Sequence, residues 1–93
     1  MNVRYRSQFK RDYRLMMKQG QKIAKLDDII LRLAIPEELD FKHRNHSLLG
    51  EYEGCQECHV APDWLLIYLY ETLDDGEQQL VCVRTGSHSD LFA

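Results

Sequence analysis

Along the first third of the chain, apolar residues return at helical spacing. Phe9, Tyr13 and Met16 or Met17 share one side of a stretch from Ser7 to about Gln19, while Lys10, Arg11, Arg14 and Lys18 take the other. Ser7 is placed to cap this helix and Gly20 to end it. From Gln21 to Ala34 the spacing of Ile23, Leu26, Ile29, Ile30 and Leu33 predicts a second helix, so the two form a hairpin about Gly20, with Pro36 at the exit. Elsewhere the period drops to two. Asn2 to Arg6 predicts a short opening strand, and Tyr52 to Val60 a second one with a bulge at Gly54. Trp64 to Tyr70 is a nearly continuous β-prone apolar run, the pattern of a central strand buried on both faces. Asp74-Asp75-Gly76-Glu77 supplies a hairpin turn into a last strand, Gln79 to Thr85. Between Ile35 and Leu49 no period is sustained, so Phe41 to His46 reads as a surface loop with His46 at its end. The sum is a single α+β domain over residues 1–93, two N-terminal helices packed on a small antiparallel β-sheet.

Size and composition support one core and exclude a disordered chain: 93 residues, 44% hydrophobic, 29% charged, five Gly and two Pro. The longest apolar run falls far short of the roughly 20 residues a membrane helix needs, and the N-terminus has no signal-peptide pattern. A cytoplasmic protein without a membrane partner is the expectation, and an odd count of three Cys fits a reducing compartment. Net charge is −3, yet it is unevenly spread. Residues 1–44 carry 11 Lys and Arg against 6 Asp and Glu, a balance of +5; residues 45–93 carry one Arg against 9 acids, a balance of −8. The basic half can meet an RNA backbone.

Cys55-Gln56-Glu57-Cys58-His59 has the spacing of a c-type haem attachment and the start of a zinc site. Haem attachment would require export, and zinc a second ligand pair, so neither metal nor cofactor is expected and the two Cys read as alternating strand residues. The histidines carry more. His46, His59 and His88 lie in the second half, and imidazole exchanges protons near neutral pH, its free pKa being about 6.5. Asp63 follows a Pro-fixed turn four residues after His59, where a carboxylate can orient or charge an imidazole. Arg84, the one Lys or Arg in the last 49 residues, suits either a phosphate or an ion pair with a nearby acid. His88 falls past the final strand in a polar tail, which Leu91 can anchor and whose Phe92 can stack on a base. Trp64 is either core or a second stacking platform. The set suits metal-free cleavage of a phosphodiester.

Four segments carry a resemblance that runs nearly end to end. Ser7 with Phe9, Lys10 and Asp12, then His46-Ser47-Leu48-Leu49-Gly50, then His59-Val60-Ala61-Pro62-Asp63-Trp64 with Leu66-Ile67-Tyr68, and finally Arg84-Thr85-Gly86-Ser87-His88 with Leu91-Phe92 resemble the YafQ branch of the RelE/ParE toxin superfamily. These are bacterial mRNA interferases of type II toxin–antitoxin systems. The resemblance implies a RelE-like fold and a ribosome-dependent endoribonuclease that cuts mRNA in the A site, with a cognate antitoxin bound as inhibitor. It places the site on His46, His59, Asp63, Arg84, His88 and Phe92. Because RNA carries its own nucleophile, the 2′-hydroxyl, such a site needs a base, an acid and a cation. His88 is then the acid, His59 or His46 the base, Asp63 the group that tunes an imidazole, and Arg84 the phosphate's counter-charge. Net acidity and a longer Glu71 to Gln79 segment depart from the family pattern. The alternative is a non-catalytic inhibitor of DNA gyrase like the ParE branch, which needs no histidine; a domain that only binds its antitoxin is a third reading.

Overall fold

The computed structural model describes residues 1–35, 46–48 and 50–92, with His46 and Ser47 described by their backbone alone. The chain runs β1 (Asn2–Tyr5), α1 (Ser7–Lys18), α2 (Ile23–Ala34), β2 (His46–Ser47), a 3-10 turn (Gly50–Tyr52), β3 (Gln56–Ala61), β4 (Trp64–Thr72), β5 (Gln78–Gly86) and α3 (His88–Phe92). The sheet order is β1-β5-β4-β3-β2. Three of its pairings are antiparallel, whereas β1 lies parallel to β5. Two N-terminal helices on a small sheet are therefore present as expected, with a parallel edge added by the chain's first residues.

The helix boundaries differ slightly from the sequence pattern, each for a local reason. Arg6, and not Ser7, is the cap residue of α1. Its N–H still donates to Cys82 O at 3.1 Å, continuing the β1–β5 ladder, while its carbonyl already accepts from Lys10 N–H at 3.0 Å. The sheet thus holds the residue from which the helix starts. At the other end, Gly20 N–H bonds Met17 O and Gln21 N–H bonds Met16 O, both at 3.1 Å. With Gly20 at φ +76, this is a Schellman ending that only glycine adopts without strain. Two residues go into that reversal and its exit, so α2 begins at Ile23 instead of Gln21. The Tyr13 hydroxyl donates to Asp27 at 2.9 Å and ties the helices together.

The two faces of the sheet are covered by different elements. Phe9 and Met16 of α1 with Leu26, Ile29, Ile30 and Leu33 of α2 pack on Cys58, Leu66, Tyr68, Leu80 and Cys82. On the opposite face Tyr52, Cys55 and Leu91 cover Leu65, Ile67, Val81 and Val83. β4 is accordingly buried on both sides from Trp64 to Tyr68, short of the Trp64 to Tyr70 its apolar run predicts, since Leu69 is half-buried and Tyr70 exposed. Gly54, expected as a bulge, lies at φ +88 in the turn ahead of β3. The irregularity in β3 occurs instead at Val60, between the pairs His59↔Leu65 and Ala61↔Trp64. The expected Phe41 to Asn45 loop lies outside the described residues. Among the described residues no helix is long and apolar enough to cross a membrane.

Candidate active site

Residues directly opposite one another in paired strands share a face. His59 pairs with Leu65 and Glu57 with Ile67, which puts both on the face away from the helical hairpin. Arg84 reaches that face through a bulge. Ile67 pairs with Arg84 but the next residue, Tyr68, pairs with Cys82, so Val83 is extra. In unbroken alternation Arg84 would share the face of Cys82, beneath the helices; the bulge turns it to the face of Ile67.

The tail after β5 is α3, which folds over the same face. Ser87 and Asp90 cap it reciprocally: Ser87 N–H donates to Asp90 Oδ2 at 3.2 Å and Asp90 N–H donates to Ser87 Oγ at 3.1 Å. The Ser-x-x-Asp spacing of this box is a readable helix signal within the polar tail. Leu91, 5% exposed, anchors the helix in the second core cluster. The carbonyl of Leu91 accepts from the Tyr52 hydroxyl at 3.3 Å.

These elements gather the predicted chemistry. Asp63 sits in the two-residue turn between β3 and β4, where its Oδ1 accepts the His88 backbone N–H at 3.1 Å and lies 2.9 Å from His88 Nδ1. The side-chain hydrogen bond to His88 holds the Asp63 carboxyl below its ordinary range. An ionised carboxylate can only accept, so Nδ1 carries a proton and Nε2 is the nitrogen left for chemistry. The His59 and His88 rings stand 5.8 Å apart between centroids, and His88 is 6.3 Å from the Phe92 ring. Phe92 in turn meets Tyr52 edge-on at 5.7 Å and remains exposed. The Tyr52 hydroxyl accepts from Arg84 Nη1 at 3.3 Å, which completes a continuous line from guanidinium to imidazoles.

The structure bears on two readings left open by the sequence. Arg84 is ion-paired, through Nε to Asp12 Oδ2 at 2.7 Å and Nη2 to Asp12 Oδ1 at 3.2 Å. Trp64, 4% exposed, lies in the first core cluster, with its indole N–H donating to Thr85 Oγ1 at 2.9 Å. Its ring presents no face to a base, which corrects its place among substrate-binding candidates. The backbone of His46 pairs with Glu57 beside this site; its side chain lies outside the described residues. Asp12, Tyr52 and Glu57 are contributors that sequence patterning passed over, since each is an ordinary helix, turn or strand residue until the sheet forms.

Cys55 and Cys58 belong to opposite faces of the sheet, so the expectation that they form no metal pair has a geometric basis. A different group could hold an ion. Glu57, His59 and His88 each offer a ligand atom, all within 4.8 Å of one another. Glu57 Oε1 is 3.6 Å from His59 Nε2. Tetrahedral ligands at about 2.0–2.1 Å from zinc stand roughly 3.3 Å apart, so modest side-chain rotations would bring the three together. Asp63 on His88 Nδ1 would then serve as the outer carboxylate that such ligands commonly carry.

Two N-terminal helices on a small sheet, with paired imidazoles and a clamped arginine at its strand ends, make this a protein of the RelE-like fold class. The profile of the family described as bacterial toxin of type II toxin-antitoxin system, YafQ, matches residues 1–93, and the chain belongs to that family. It is 31% identical to the mRNA interferase toxin YafQ of Escherichia coli (strain K12), over 98% of this chain and 95% of that one. Its structure is similar to that of the toxin in the E. coli DinJ-YafQ toxin-antitoxin complex, with TM-score 0.82, 32% identity and coverage of 99% and 97%. It is also similar to a copper-bound mutant toxin from Helicobacter pylori, with TM-score 0.87, 32% identity and 99% of each chain covered.

Proposed function

We propose that this chain is an mRNA interferase toxin, a cytoplasmic endoribonuclease acting on ribosome-bound message and restrained by a cognate antitoxin. The observation that carries the reading is the Asp63–His88–His59 array, joined through Phe92 and Tyr52 to Arg84. The name of the E. coli relative and the antitoxin complex of a similar structure support it.

In this mechanism a histidine, His59 or His46, takes the proton of the 2′-hydroxyl, and that oxygen attacks the adjacent phosphorus. The bond from phosphorus to the 5′-oxygen breaks, and His88 delivers a proton to the leaving oxygen. The products are a 2′,3′-cyclic phosphate and a 5′-hydroxyl end. Asp63 holds the His88 ring in place, while Arg84 faces the charge developing on the phosphate. Phe92 stacks on a base and keeps the strand in register. Exposed Lys10, Arg11, Arg14 and Lys18 on α1 offer phosphate contacts to a large RNA. A transition metal at Glu57, His59 and His88 would supply Lewis-acid character while occupying both imidazoles, so no step here is assigned to one.

The test is to add the purified chain to translating ribosomes and map RNA ends. New 5′-hydroxyl ends within codons, abolished by His88→Ala in a folded protein, bear the reading out. Intact message together with inhibited gyrase supercoiling would establish the ParE-like alternative instead.

A further inference from the structure

Arg84 is linked to the imidazoles through Tyr52 and Phe92, and it does not stand alone. Asp12, on α1 and 72 residues away in sequence, accepts from both Nε and Nη2 of the guanidinium. Asp12 Oδ2 also accepts the buried backbone N–H of Thr85 at 3.1 Å, so one carboxylate grips both the side chain and the strand that bears it. The side chains of Asp12 and Arg84 are only 10% and 22% exposed, which removes most of the water that would loosen the pair.

The count of donors decides what is left over. A guanidinium has five N–H groups in one plane. Asp12 takes Nε–H and one on Nη2, and Tyr52 takes one on Nη1. Among the described residues one N–H is left over on each terminal nitrogen, enough for two phosphate oxygens. If Arg84 had only to neutralise a phosphate, a fixed carboxylate at its side would be a handicap, because it cancels the guanidinium's net charge. A carboxylate is an asset where direction matters more than charge.

We propose that Asp12 is a positioning residue of the anion site: it pins the inner edge of Arg84 so that the outer N–H groups address the scissile phosphate beside His59 and His88. This rests on the interferase reading for the nature of the phosphate. Phosphate therefore joins the Asp12–Arg84 pair and does not displace Asp12. Misplacement of a catalytic group by about 1 Å costs on the order of a hundredfold, so the isosteric Asp12→Asn variant should lose that much in kcat.

The decisive measurement is a double-mutant cycle on kcat in the ribosome assay, run where circular dichroism shows every variant folded. Asp12→Asn should cost on the order of a hundredfold with Arg84 present and under about threefold in an Arg84→Ala background. Equal losses in both backgrounds would mean that Asp12 only supports the fold, and the proposal would be overturned. A second measurement needs neither RNA cleavage nor a variant. On titration of the unaltered protein with inorganic phosphate, the Arg84 Nη NMR signals should shift while the Nε–H signal stays in place and slow to exchange. Displacement of the Nε–H signal, or no response at Nη, would overturn the proposal. If the unaltered chain fails to cut RNA while the Nε–H signal behaves as stated, the interferase reading fails and the anion site stands.

Discussion

Leu91→Ala tests how the C-terminal helix holds the site together. The substitution removes three carbons from a side chain that is 5% exposed among Tyr52, Leu65, Ile67 and Val83. At about 0.8 kcal/mol per buried carbon the transfer loss is roughly 2.4 kcal/mol, and the cavity left behind raises it to about 2.5–4 kcal/mol. Against this, α3 keeps the Tyr52 bond to Leu91 O, the Ser87–Asp90 box and the Asp63 bond to His88 N–H, each worth about 1 kcal/mol. The loss is as large as the remaining anchorage. Five residues at the end of the chain should therefore undock before the sheet unfolds, with their open population rising by about two to three powers of ten. Hydrogen exchange reads this directly. Protection of the Leu91 amide, bonded to Ser87 O at 3.1 Å, should collapse while amides of β4 stay protected. RNA cleavage should fall at least tenfold, because undocking removes His88 and Phe92 together. A variant that keeps α3 protected and cleaves normally would refute the reasoning.

Asp63 should titrate below the usual carboxylate midpoint by carboxyl-carbon NMR, and His88→Ala should return it towards that midpoint. Since folding lowers this pKa, the contact's contribution to stability is present above the unfolded value near 3.8 and is lost as pH falls through the folded one. Burial pushes the Cys58 and Cys82 thiols up to about 12, so both should resist a disulfide reagent at pH 8 until the protein is unfolded. The same shift makes their contribution fully present below the unfolded value of 9.0 and lost between there and about 12, so denaturant midpoints should fall over that range. Trp64→Phe removes the bond to Thr85 Oγ1 and should cost about 1 kcal/mol in denaturant melts while leaving RNA binding unchanged; weakened RNA binding would restore Trp64 as a platform. Copper(II) should bind with a visible absorption band that Glu57→Gln weakens, and should inhibit cleavage, whereas a chelator should leave cleavage by the metal-free protein intact.

Much of this protein was legible in residue order because the signals concerned were local. Helical spacing from Phe9 to Leu33, the apolar run of β4 and the Asp74 to Glu77 turn each depend on neighbours a few residues away. His59, Asp63, Arg84, His88 and Phe92 stood out as chemistry at strand ends and in a tail, where function is commonly carried. Trp64 shows the limit: an aromatic beside a histidine motif looks the same whether its ring faces solvent or Thr85. The Ser87–Asp90 box was present in the sequence but short, and a five-residue helix gains its stability from Leu91 docking on the sheet.

By itself, then, the order of residues determined which segments coil or extend and which side chains can exchange protons or meet a phosphate. Tertiary structure alone decided which of them share a face. A single extra residue reverses strand alternation, and the bulge at Val83 is what moves Arg84 from the helix side to the side of His59. The Asp12 clamp and the parallel seat of β1 against β5 likewise join distant parts of the chain. No local pattern encodes such contacts, because they exist only once the sheet has closed and water has been excluded from between them.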